Sequence, residues 1–141
     1  MELVCFTACH VRNECDLEHL QHMLNSWDAQ TVRVPLILSM SAVTKLCDLT
    51  STRINLFRQL FSSELHIEFT EMPLSQFQHY ARAVDVLKMK IQLGGFVNNP
   101  YIMFSDADDV WNTIRGDYVI RAMAKRCAGC NSVETTVSFR C

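Results

Sequence analysis

Four short apolar runs alternate with three stretches of helical periodicity, and few folds accommodate that alternation. The runs are Leu3 to Ala8, Val34 to Met40, Leu65 to Phe69 and Tyr101 to Phe104, each short and β-rich enough for a strand. Pro35 stands near the start of the second, where a missing N–H is tolerated. Between them, Leu17, Leu20, Met23, Leu24 and Trp27 recur at helical spacing over Asp16 to Trp27. Leu46, Leu49, Ile54, Phe57, Leu60 and Phe61 do so over Thr44 to Leu60, where Thr50-Ser51-Thr52 is a candidate break. Phe77, Tyr80, Ala81, Val84, Leu87 and Ile91 mark a helix over Gln76 to Gln92, with Ser75 as its cap and Gly94-Gly95 as its end. Helices of this length cross over between parallel strands. The expected fold is therefore α/β, a doubly wound, mostly parallel sheet with helices on both faces. Right-handed crossovers would gather the loops after each strand on one rim.

At 141 residues the chain is expected to form a single domain, 1–141. Its 49% hydrophobic and 20% charged residues fit a folded protein, not a disordered one. A net charge of −2 offers no basic field for nucleic acid. No apolar run reaches the length of a transmembrane segment, and Met1 to Val4 opens nothing like a signal peptide. The seven cysteines match no small disulfide framework, which points to a reducing, intracellular (cytoplasmic) setting.

The fourth run leads directly into Ser105-Asp106-Ala107-Asp108-Asp109-Val110-Trp111. An uncharged strand, expected to be buried on both faces, thus ends in three carboxylates within four residues. Like charges this close repel unless a cation shares them, and hard oxygen ligands suit Mg2+ or Mn2+, which bridge to phosphates. The competing reading is an acidic turn in which Asp108 or Asp109 caps a helix starting near Val110.

Phe104 to Trp111 resembles the segment of A-type (GT-A) nucleotide-sugar glycosyltransferases, family-2-like, in which a hydrophobic strand runs into a DxD motif and then an Asp beside an aromatic residue. Tyr80 to Leu87, with Arg82, is similar to the helix that precedes that strand, and Gly94-Gly95 stands where the intervening turn belongs. The resemblance implies a metal-dependent transferase using a nucleotide-diphosphate sugar, with Mn2+ or Mg2+ and a glycan, protein or lipid acceptor. It implies that Asp108 is the main metal ligand and that Asp106 lies towards metal, ribose or sugar. Asp109 supports them or touches the sugar, and is the catalytic candidate. The loop after strand one, with Thr7, Ala8, His10 and Arg12, would cradle base and ribose. Ser39 would stand on the second loop, and Arg82 would pair with a phosphate or with the acidic cluster.

The chain departs from that pattern in two places. Ser39-Met40-Ser41 stands where the family carries an acidic pair, and the acidic residues after Trp111 are Asp117 and Glu134 alone. A non-catalytic α/β nucleotide-sugar-binding or interaction module is the alternative. A nucleotidyltransferase would want a Gly-rich loop after strand one, and Cys9 to Asn13 contains no Gly. Asn112 to Asp117 reads as a turn, Tyr118 to Arg126 as a short helix, and Val133 to Phe139 as a last strand able to pair edge to edge with a second copy. Cys127-x-x-Cys130 is half a zinc site or a redox pair in form, but no second ligand pair accompanies it. Trp111 and Tyr118 are candidates for stacking on a base or sugar, or for the core.

Overall fold

In the computed structural model, residues 2–61, 64–97 and 99–127 are described. The expected strand at 133–139, Glu134 and the Cys127-x-x-Cys130 pair lie outside the described residues or their described side chains. The order is β1 (Leu3–Val11), α1 (Glu14–Asp28), β2 (Leu36–Ala42), a 3-10 turn (Thr44–Leu46), α2 (Cys47–Leu60), β3 (Leu65–Thr70), α3 (Gln76–Gln92), β4 (Tyr101–Asp106) and α4 (Arg115–Cys127). The four strands form one all-parallel sheet in the order β3-β2-β1-β4. This is the expected α/β architecture.

The helices divide between the two faces. Leu17, Leu20, Met23, Leu24 and Trp27 of α1 are all buried, together with Ile54 and Phe57 of α2, against Leu3, Cys5, Cys9 and Val11 of β1. Val119, Ile120 and Met123 of α4 pack against the same core. Ala83, Val86 and Leu87 of α3 cover the opposite face over Val4, Phe6 and Ile37. Strands one to three step outward in one direction, and the return from β3 to β4 reverses it. Keeping one crossover hand then requires α3 to change face. Each fully buried Leu contributes about 2 kcal/mol by leaving water.

Local chemistry sets the helix ends. Asn13 caps α1: its Oδ1 accepts from the Asp16 N–H at 3.1 Å, and Asp16 Oδ2 accepts from the Asn13 N–H at 3.3 Å. Ser75 and Gln78 close the same reciprocal box on α3, at 3.3 and 2.8 Å. At the other end of α3, Gly94 takes φ +77°. Gly95 N–H then reaches Lys90 O at 2.8 Å and Gly94 N–H reaches Ile91 O at 3.0 Å, a pairing open to glycine without a Cβ penalty.

Several expectations need correction. The apolar run of β4 is not buried on both faces. β4 is an edge strand, paired with β1 alone among the described residues, and Phe104 is 55% exposed. Its continuous apolar run resembles a central strand, but its place is set by topology: α3 covers β1 and β2 and meets β4 through Tyr80, whose ring lies 4.8 Å from that of Phe104. β1 runs on to Val11, because Cys9 and Val11 continue the buried alternation and pair with Met40 and Ala42. His10 and Val11 are therefore strand, not loop. The buried face of α3 is His79, Ala83, Val86 and Leu87, which leaves Phe77 exposed. Leu60 is exposed as well, and α2 passes through Thr50-Ser51-Thr52 unbroken. α4 begins at Arg115, inside the expected turn, and no helix begins near Val110. Among the described residues no helix is long and apolar enough to cross a membrane.

Candidate functional site

In the order β3-β2-β1-β4, the chain leaves β1 towards β2 on one side and arrives at β4 on the other. The crevice beyond the carboxyl ends of two such strands is where open α/β sheets take ligands. Here that crevice is an open cleft of about 620 Å3. Of the residues singled out in the sequence, it is lined by Ala8, His10 and Arg12 from β1 and its end, and by Asp106 and Asp108 from the end of β4. Asp16, His19 and His79 join them.

The acidic loop is folded back on its own strand. Asp109 Oδ2 accepts from the Asp106 N–H at 3.2 Å and from Ser105 Oγ at 3.3 Å, and lies 3.7 Å from the Arg115 guanidinium. Trp111 is buried, its indole N–H donating to Ser105 Oγ at 2.9 Å and its backbone N–H to Ser26 Oγ at 2.8 Å. The Arg115 guanidinium stacks 4.7 Å from the centre of its ring. Gln30, from just beyond α1, donates to Asn112 O at 2.7 Å and accepts from the Gly116 N–H at 2.9 Å. These bonds hold the loop against the far end of α1. Asp106, Asp108 and Asp109 can each offer one carboxylate oxygen within 4.8 Å of the others.

The other rim of the cleft carries a chain of hydrogen bonds. His10 Nδ1 lies 2.7 Å from Ser41 Oγ, Ser41 Oγ lies 2.9 Å from His79 Nε2, and His79 Nδ1 lies 2.8 Å from Ser39 Oγ. His79 and both serines are buried. Burial pushes the His79 imidazole down to about 4, with the charge of His10, whenever that ring carries a second proton, and the charge of Arg82 adding to the effect, so it is neutral near pH 7. Burial pulls the Asp16 carboxyl up, but the N–H and guanidinium of Arg12 and the N–H of Asn13 outweigh it and hold it below its usual value. Cys9 also lines the cleft, yet burial, aided by Asp16, drives its thiol up to about 12. It is no thiolate nucleophile.

The remaining candidates stand apart from the cleft wall. Thr7 is buried and its hydroxyl has no partner among the described residues. Ser39 is buried against His79. Arg82 points to β3, 3.8 Å from Glu68, which also holds His66 at 2.7 Å. Asp109 is engaged within its own loop. Trp111 belongs to the core, and Tyr118 is exposed.

Ser41 was expected on the rim beside Ser39, but His79 was not legible as a site residue. The only sign was the recurrence of His79 with Ala83, Val86 and Leu87 at helical spacing, which a polar residue obscures. The chain matches no protein-family model and no curated protein.

Proposed function

We propose that this chain is a divalent-cation-dependent glycosyltransferase domain that takes its sugar from a nucleotide diphosphate and passes it to a hydroxyl acceptor. The observation that most supports this is the position of Asp106 and Asp108. Two carboxylates project from the end of β4 into a cleft at the point where the strand order reverses. The donor set is all oxygen and exposed, with the third carboxylate already shared with Ser105, the Asp106 N–H and Arg115. Two carboxylates and the phosphate oxygens of a ligand suit Mg2+ or Mn2+.

Asp106 and Asp108 would hold the ion, which neutralises the charge that develops on a departing nucleoside diphosphate. Asp109 keeps the loop in place for them, which is the role its hydrogen bonds favour over direct attack on the sugar. Ala8, with a small side chain, leaves room for a ligand beside the backbone of β1. His10 and Arg12 face the same space with nitrogen donors suited to phosphate or ribose oxygens. The four described cysteines are free thiols, in keeping with a cytoplasmic, reducing setting.

A second reading, a nucleotide-sugar-binding domain without turnover, is favoured by the engagement of Asp109 with its own loop and of Asp16, the other carboxylate lining the cleft, with Arg12 and Asn13. Thermal shift with a panel of nucleotide sugars, with and without Mn2+, tests both. A ligand at 100 times its dissociation constant adds about 2.7 kcal/mol. A metal-dependent gain that disappears in Asp108→Ala is the expected result. A gain that survives this substitution refutes the metal site, and no gain with any nucleotide refutes both readings. Release of free sugar from the bound donor separates turnover from binding alone.

A further inference from the structure

Ser39, His79, Ser41 and His10 form one unbranched chain that runs from the covered face of β2 to the cleft. Its direction can be worked out from the protons available. Ser41 Oγ lies between two ring nitrogens and has a single proton, so it donates to one ring and accepts from the other. If it donates to His10 Nδ1, then His79 Nε2–H donates to Ser41 and the bare His79 Nδ1 accepts the Ser39 hydroxyl. Every proton then has an acceptor. In the opposite direction His79 Nδ1–H donates to Ser39, whose own hydroxyl proton is left with no acceptor in any described bond while buried. A buried donor without an acceptor is the costlier arrangement. The first direction leaves His10 bare at Nδ1 and protonated at Nε2, the nitrogen not engaged with Ser41.

We infer that His79 and Ser41 are positioning residues that fix His10 with its Nδ1 accepting from Ser41 and its Nε2–H donating to an anionic oxygen of the ligand, a diphosphate oxygen in the reading above, on which this ligand assignment rests. The site thus meets a diphosphate from two sides: carboxylates from β4, through a cation, and an imidazole N–H from β1. His79 also remains uncharged, because its burial disfavours a second proton. The chain can therefore keep one direction while the ligand comes and goes. Only His10 is a direct contact, and His79 acts through Ser41.

Long-range proton–nitrogen correlation spectra of the 15N-histidine-labelled protein test this, with peaks assigned from His10→Gln and His79→Gln. Both rings are expected as Nε2–H tautomers near neutral pH. Ser41→Ala is expected to release His10 into a mixture of tautomers and to weaken inorganic pyrophosphate, titrated with Mg2+, by about tenfold. His10→Gln places an amide N–H near the same point and is expected to bind pyrophosphate more tightly than His10→Ala. His10 found as the Nδ1–H tautomer overturns the inference, as does a Ser41→Ala affinity equal to wild type. Should wild type show both Nε2–H rings and yet bind no pyrophosphate, the ligand assigned to His10 and the transferase reading fall together. Should pyrophosphate bind in a manner dependent on Mg2+ and Asp108 while His10 shows the wrong tautomer, the transferase reading survives and this inference does not.

Discussion

Trp111 donates its indole N–H to Ser105 Oγ across 2.9 Å, so the residue that closes the acidic loop is tied to the residue just before it. Ser105 passes the constraint on, because its hydroxyl also lies 3.3 Å from Asp109 Oδ2. The conformation of Asp106 and Asp108 is thus set by a buried aromatic ring together with the Asp109 carboxylate. Trp111→Phe keeps most of the apolar burial and removes the donor. It is expected to cost about 1 kcal/mol in denaturant unfolding. It should also weaken Mn2+ binding by several-fold through a looser loop, measured by titration calorimetry on the folded variant.

Gln30 provides the second anchor. Its side chain bonds Ser26 O at 3.1 Å, Asn112 O at 2.7 Å and the Gly116 N–H at 2.9 Å. Gln30→Leu has similar volume and none of these bonds, and it leaves the buried Gly116 N–H without a partner. The expected loss is about 2–3 kcal/mol. Amide exchange at Gly116 should speed up more than exchange in β1 or β2, since the defect is local.

His79 makes stability depend on acid. The unfolded ring takes up a proton near its ordinary 6.5, whereas the folded ring does so only near 4. Between those values the unfolded state holds more protons, so stability falls as pH falls, and the loss is complete below the folded value. The shift corresponds to on the order of 3 kcal/mol. Asp16, held below its usual 3.8, adds its own loss only in more acidic solution. His79→Gln should flatten the slope between pH 6.5 and 4 while lowering stability at neutral pH, read from urea unfolding at several pH values.

Most of the fold was legible because strands and helices announce themselves by period. The ends of α3 agree with the sequence reading, since Ser75, Gln78 and Gly94 carry their own chemistry. Strand burial was less legible. Tyr101-Ile102-Met103-Phe104 looks like a covered strand, but whether a strand is central depends on which neighbours flank it, a property of the whole chain. The acidic wall of the cleft could be read from the Asp spacing together with the apolar strand that runs into it. The histidine wall could be read only in part: His10 and Ser41 were expected on the rim, but His79, 69 residues from His10 (79 − 10), lies on a helix face where nothing in the sequence marks the link.

Asp108→Asn should separate folding from ion binding. Three carboxylates whose oxygens approach within 4.8 Å repel one another in the absence of a cation. Removing one charge is expected to leave the metal-free protein equally stable or up to ~1 kcal/mol more stable. The same substitution should abolish the extra stability gained with Mn2+. A loss of metal-free stability would mean that Asp108 has a structural role instead.

β4 has one further consequence. It pairs with β1 from Leu3↔Tyr101 to Ala8↔Asp106, and Ile102 and Phe104 stand exposed. Such a margin is a template for any extended backbone that reaches it, and strand addition there would bring a visitor's side chains within a few residues of Asp106. Light scattering on concentrated preparations reads whether such pairing occurs, and Ile102→Lys, at an exposed position of β4, is the least intrusive substitution against it.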